Sequence, residues 1–230
     1  MRVMLVHAVA EAVIPIHDAF AAGWPEARIH DLLDTSLSLD LAADGGVLRA
    51  RMIERFRVLG HYAAGAGPEG RISDAVLFTC SAFGPAIDAV RREITIPVLK
   101  PNEAAFERAL EAGGPHPARR PRIGLLVTFA PSLPALSVEL EAMARARGLT
   151  PTIVGAVAAG GMEALRAGRP AEHDALLVKA AATLPEVDAI VIGQFSAARA
   201  APAVAATRRE PVLTTPESAV AKLRAVLASR

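Results

Sequence analysis

A single cysteine, Cys80, stands in a chain of 230 residues. One thiol excludes an internal disulfide and a Cys-rich metal site. Aromatic residues make up only 4% of the chain against 52% hydrophobic residues overall. The core must therefore be built from Ala, Val, Leu and Ile. Neither sign of charge dominates, with Lys+Arg 25 against Asp+Glu 24 and a net charge of +1. A nucleic-acid partner is disfavoured, because phosphate binding draws on a basic excess. No apolar run reaches about 18 residues, so no membrane span is expected. The opening "MRVMLVHAVAEAV" lacks the apolar length and cleavage site of a secretory signal. The six histidines (His7, His17, His30, His61, His116, His173) are scattered without ligand spacing, which argues against a metal site. These absences point to a soluble, cytoplasmic globule.

What is present is an alternation of short apolar runs and longer amphipathic stretches. "RVMLVHA" (2–8), "RIHDLLD" (28–34), "AVLFTC" (75–80) and "IPVLK" (96–100) have the length and composition of buried parallel strands. A second set follows: "RIGLLVT" (122–128), "TPTIVGAV" (150–157), "DAIVIGQ" (188–194) and "EPVLTT" (210–215). Helix spacing fills the gaps in "VLRARMIERFRVLGHYAAGA", "GPAIDAVRREI" and "GRPAEHDALLVKAAATL" (168–184). The pattern predicts an α/β fold with parallel sheets. "EAGGPHPARRP" (111–121) reads as a linker by its Gly and Pro content. "GAGPEG" (65–70) matches a dinucleotide-loop spacing, but it follows a helical stretch and leads into a strand, the wrong context for that loop. The Arg-rich runs at 118–122 and 91–93 read as solvated surface.

The two sets are copies. An offset of 114 lays "DAVLFTC" on "DAIVIGQ" and "PVLKPNEAA" on "PVLTTPESA", which puts Cys80 opposite Gln194. Two duplicated lobes follow, each a small parallel sheet flanked by helices. Ligands of open parallel sheets bind beyond the carboxyl ends of the strands, so the site is expected in the cleft between the lobes. The strand-end residues are the candidates: His7, Ser36, Thr79, Ser81, Thr128, Ser132, Gln194, Phe195, Ser196 and Thr215 as substrate holders, and Cys80 as the reacting group. Hydroxyls and helix N-termini suit a small carboxylic acid. A helix beginning after Cys80 would favour its thiolate and lower its pKa. Glu11, one turn past His7, is either a helix-start charge or a site residue. The segment "LDTSLSLDLAADGG" (33–46) reads as a polar loop, consistent equally with a mobile cover and with a plain surface loop.

Two duplicated α/β lobes with "TCSAFG" ending the third strand resemble the aspartate/glutamate racemase superfamily. That group includes amino-acid and hydantoin racemases, maleate isomerase and arylmalonate decarboxylase. The resemblance implies catalysis without pyridoxal phosphate, metal or other cofactor, by two cysteines on opposite faces of an acidic carbon. It makes Cys80 the first of these and puts Gln194 in the place of the second. It also implies that the final helix, about 215–229, returns to the first lobe. The domains would then be 1–98 plus 215–230, and 99–214, in a homodimer or higher homo-oligomer. A neutral amide cannot act as a general base, though it can hold a carboxylate. Three readings follow: proton transfer beside a carboxylate with Cys80 as acid/base, with His7 as a possible partner base; one-cysteine decarboxylation of a malonate-type acid; and non-catalytic binding of a small carboxylate.

Overall fold

Eight strands pair into two four-stranded parallel sheets with the same spatial order. The computed structural model describes residues 1–67, 72–112, 114 and 120–229. Residues 68–70 of the Gly-Pro loop lie outside the described residues, as do 113 and 115–119 of the linker, including His116 and part of the 118–122 run. The first sheet holds β1 (Arg2–His7), β2 (Arg28–Leu33), β3 (Ala75–Phe78) and β4 (Val98–Leu99) in the order β2-β1-β3-β4. The second holds β5 (Arg122–Val127), β6 (Thr152–Val157), β7 (Ala189–Ile192) and β8 (Val212–Thr214) in the order β6-β5-β7-β8. All eight expected strands are present, each trimmed at its ends where the chain turns away from the ladder.

The duplication extends to individual hydrogen bonds. Val3 pairs with Ala75 in one sheet and Ile123 with Ala189 in the other. The Arg2 amide donates to the Asp74 carboxylate at 2.5 Å, and the Arg122 amide donates to Asp188 at 2.8 Å. Thr79 N–H donates to the Val6 carbonyl at 3.0 Å, as Gly193 N–H does to Leu126 at 3.0 Å. Buried strands with no polar face must satisfy their backbone within the sheet. Both copies solve that problem with the same ladder.

Helices cover the sheets: α1 (Val13–Gly23), α2 (Ser36–Ala43), α3 (Ala50–Gly65), α4 (Gly84–Glu93), α5 (Glu103–Ala112), α6 (Ser132–Ala146), α7 (Gly161–Arg166), α8 (Pro170–Ala181), α9 (Ala201–Ala205) and α10 (Thr215–Ala228). The chain groups into one unit of Met1–Pro101 with Ala219–Arg230, and a second of Asn102–Ser218. Helix α5 follows the first sheet in sequence, yet Ala105, Phe106, Ala109 and Leu110 pack with Ile123, Leu125 and Val191 in the second unit. Conversely, α10 follows the second sheet and belongs from Ala219 onward to the first unit. There Arg224 donates to the Gly23 carbonyl at 2.9 Å.

One expected loop is a helix. Within 33–46, α2 starts at Ser36, whose amide and hydroxyl both donate to Asp34 Oδ1, at 3.0 and 2.6 Å. Leu37 is fully buried and Arg55 reaches over from α3 to Asp34, Ser36 and Asp40. The helix ends where Gly45 and Gly46 take left-handed backbone at φ 67° and 80°, a conformation glycine adopts without steric cost. The segment is pinned rather than free to swing.

The α3–α4 contact depends on a missing side chain. Gly60 is buried, and a Cβ there would meet Val90 Cγ1 at 2.4 Å. Val90 is β-branched and has little rotamer freedom in a helix. Gly60→Ala is expected to cost about 1–3 kcal/mol, read as a lower urea or thermal midpoint. Adding Val90→Ala should recover part of the loss; a single variant as stable as the parent would show that the helices slide apart freely.

Candidate functional site

In the first unit the carboxyl ends of β1 and β3 bring His7, Thr79 and Cys80 together. Cys80 has extended backbone (φ −116°, ψ 120°) and caps a short 3-10 turn, Ser81–Phe83, before α4 begins. Cys80 is a partly buried residue whose side chain lines a narrow crevice together with Val6, His7, Ala8, Leu37, Phe56 and Phe78. That crevice is too narrow to seat a water molecule. Phe56 closes it by stacking on Phe78 and Phe83, with ring centroids 5.4 and 4.7 Å apart.

This setting reverses the expectation of a lowered thiol pKa. Burial pushes the Cys80 thiol up to about 11, and a hydrogen bond from the Ala82 amide offsets only part of that. The element directly after Cys80 is a short 3-10 turn, and α4 starts only at Gly84. At neutral pH the group is a thiol, an acid with a proton to give.

His7 is fully buried and both ring nitrogens are engaged. Nδ1 lies 2.9 Å from Thr79 Oγ1, and Nε2 lies 2.9 Å from Asp31 Oδ1. Burial pushes the imidazole below its usual pKa, against the pull of the Asp31 hydrogen bond and charge, so the ring is neutral. Burial acts to raise the Asp31 carboxyl, but hydrogen bonds from His17 and His7 outweigh it and hold the group below its usual range. A carboxylate only accepts, so Nε2 carries the ring proton and Nδ1 accepts from the Thr79 hydroxyl. In this arrangement His7 has no free nitrogen for a substrate or for service as a partner base. Asp31 and Arg55 escaped the sequence reading. The visible signal for Asp31 was a carboxylate in the middle of the apolar run "RIHDLL".

The second unit has Gln194 where the first has Cys80. It too is extended (φ −142°, ψ 135°) and caps a 3-10 turn, Phe195–Ala200. Its Oε1 accepts from the Thr128 amide at 2.6 Å and from the Thr128 hydroxyl at 2.9 Å. A backbone N–H can only donate, so the amide orientation is determined and the NH₂ group points away from Thr128. The residue is a braced hydrogen-bond donor.

Several expected substrate holders are committed to local structure. Ser36 is tied to Asp34 and Arg55, Ser132 donates to the Phe129 carbonyl at 2.6 Å, and Thr79 faces His7. Phe195 and Ser196 are buried at 2% and 5% exposure. Ser81 is half-buried beside Cys80. Thr215 is fully buried at the start of α10, and its hydroxyl lacks a hydrogen-bond partner. Glu11 lies in a 3-10 turn (Ala10–Ala12) ahead of α1. Among the described residues no group of three or more His, Cys, Asp or Glu side chains is placed to hold a metal ion. No described helix is long and apolar enough to cross a membrane.

Because Cys80 is the chain's sole cysteine, its ionisation is directly readable. Iodoacetamide labelling of the native protein should rise about tenfold per pH unit, with no plateau below about pH 10. A plateau near pH 8 would mean that the thiol is not held in a dry environment.

Comparison with known proteins identifies the family and the fold. The family model described as Asp/Glu/Hydantoin racemase matches residues 58–193, a range that includes Cys80 and ends one residue before Gln194. A search of curated protein sequences finds no significant match. Among solved structures, glutamate racemase isoform RacE1 from Bacillus anthracis superimposes with a TM-score of 0.72 at 11% identity, over 99% of this chain and 81% of that one. Allantoin racemase from Pseudomonas fluorescens gives 0.68 at 16% identity, over 100% and 92%. Unliganded arylmalonate decarboxylase gives 0.57 at 15% identity, over 98% and 92%. The family match spans more than half of the chain, and the chain belongs to the Asp/Glu/hydantoin racemase family.

Proposed function

We propose that this member of the Asp/Glu/hydantoin racemase family is a cofactor-independent enzyme that transfers a proton at the carbon next to a carboxylate of a small acid. Cys80 is its acid/base group, and Gln194 stands as a neutral donor in the place of a second cysteine. The observation that carries this reading is the sole thiol of the chain, capping a strand-end turn at the mouth of a dry crevice. A thiol there exchanges protons with carbon at low intrinsic cost when the substrate carbanion is stabilised as an enediolate. The NH₂ of Gln194 supplies a hydrogen bond suited to a carboxylate oxygen.

The state of the two residues favours a one-sided reaction within this class. A thiol with a pKa of about 11 is protonated at working pH, and Gln194 has no basic group. Decarboxylation of a malonate-type acid fits both. The bond from the α-carbon to one carboxyl breaks, carbon dioxide leaves, and the electron pair stays as an enediolate. The Cys80 S–H then gives its proton to that carbon, and solvent reprotonates the sulfur. Two-base racemisation lacks its second base.

Heavy-water NMR over aspartate, glutamate, simple hydantoins, maleate and substituted malonates tests the reading. Turnover of a malonate with one deuterium delivered to a single face is expected, falling at least about a hundredfold in Cys80→Ala. Turnover that survives Cys80→Ala removes Cys80 from the chemistry. Saturable binding with no exchange in any acid would identify a binding protein instead.

A further inference from the structure

The repeat contains its own control for what the fold requires around Cys80. His7, Asp31, Thr79 and Cys80 occupy positions taken in the second copy by Val127, Gly155, Gly193 and Gln194, as matched strand registers show. There the space is filled by carbon. A Cβ on Gly155 would meet Leu133 at 2.8 Å, and one on Gly193 would meet Leu136 at 2.8 Å and Val127 at 3.4 Å. The same ladder is thus built with no polar chain behind it. Burying His7 and Thr79 costs desolvation that an apolar copy avoids. The polar chain occurs only in the copy that carries the thiol.

We propose that Asp31, His7 and Thr79 are positioning residues for Cys80: Asp31 sets the His7 tautomer, His7 holds the Thr79 hydroxyl, and the ring, tied at both nitrogens, closes the inner wall of the thiol crevice. Asp31 Oδ1 to His7 Nε2 is 2.9 Å, and His7 Nδ1 to Thr79 Oγ1 is 2.9 Å. Thr79 is bonded in sequence to Cys80, and His7 and Cys80 line the same crevice. His17 on α1 braces the outer side of Asp31, its Nε2 lying 2.9 Å from both carboxylate oxygens. The wall is therefore anchored at β1, β2, β3 and α1. Loosening it admits water to the sulfur, and a solvated thiolate is easier to form.

This inference rests on the reading of Cys80 as the reacting group, but its test does not require a substrate. Cys80 labelling by iodoacetamide is followed by intact mass in the parent, Thr79→Val, Thr79→Ser and Asp31→Asn, with thermal melting to establish that each is folded. Thr79→Val keeps the shape and removes the hydroxyl; Thr79→Ser restores it. Asp31→Asn replaces a pure acceptor with an amide that can present either face, which releases the tautomer. Thr79→Val and Asp31→Asn should label about three- to tenfold faster at pH 8, as a thiol midpoint lower by half to one pH unit requires. Thr79→Ser should stay within about twofold. A structural role alone would lower melting temperatures and leave the labelling profile unchanged; folded variants that label like the parent overturn the proposal. If Thr79→Val does not fold, Asp31→Asn decides, since that side chain is one-third exposed on an edge strand. Faster labelling without turnover of any acid would remove the enzymatic reading and leave the positioning role. Turnover that needs Cys80 while labelling is unmoved would do the reverse.

Discussion

Parallel pairing is the constraint from which the rest follows. With every strand of a lobe running the same way, all four carboxyl ends emerge on one side of each sheet. The ladder satisfies the backbone internally, so side chains on β1, β3, β5 and β7 are free to be apolar nearly throughout. Positions open to polar or reactive side chains fall at the first residues past each strand. Cys80 and Gln194 are such residues, each capping a 3-10 turn with extended backbone.

Duplication then allowed the two ends to diverge. The second copy closes its strand ends with Val127, Gly155 and Gly193 under Leu133 and Leu136. The first replaces this carbon packing with His7, Asp31 and Thr79. Neutral His7 between a carboxylate and a hydroxyl leaves no buried donor or acceptor of the ring unmet, which is the condition for a polar group to be tolerated inside. Gln194 follows the same logic in a simpler way, since two donations from Thr128 to one oxygen fix the amide and turn its NH₂ away from Thr128.

Magnitudes decide the state of the thiol. A helix N-terminus contributes about 0.3–1 kcal/mol to a nearby anion, less than one pH unit of pKa. Burial against Phe56, Phe78, Leu37 and Val6 moves Cys80 from 9.0 to about 11, and the turn that follows is too short to compete. Desolvation wins, and the group rests as an acid. For a reaction that ends by protonating carbon, that is the productive form.

The amino-acid sequence by itself determined the two-lobe α/β plan, because strand and helix periods and the 114-residue repeat are local patterns that survive in one dimension. It also singled out Cys80 and Gln194 as equivalent positions. The helical 36–43 segment stayed hidden, since its stability comes from Arg55, distant in sequence, clamping Asp34 and Ser36. Only the tertiary structure could assign His7 to Thr79 and Asp31, partners 72 and 24 residues away. It also decided the direction of the Cys80 shift. Desolvation depends on which side chains crowd the sulfur from α2, α3 and β1, and no neighbour along the chain carries that information.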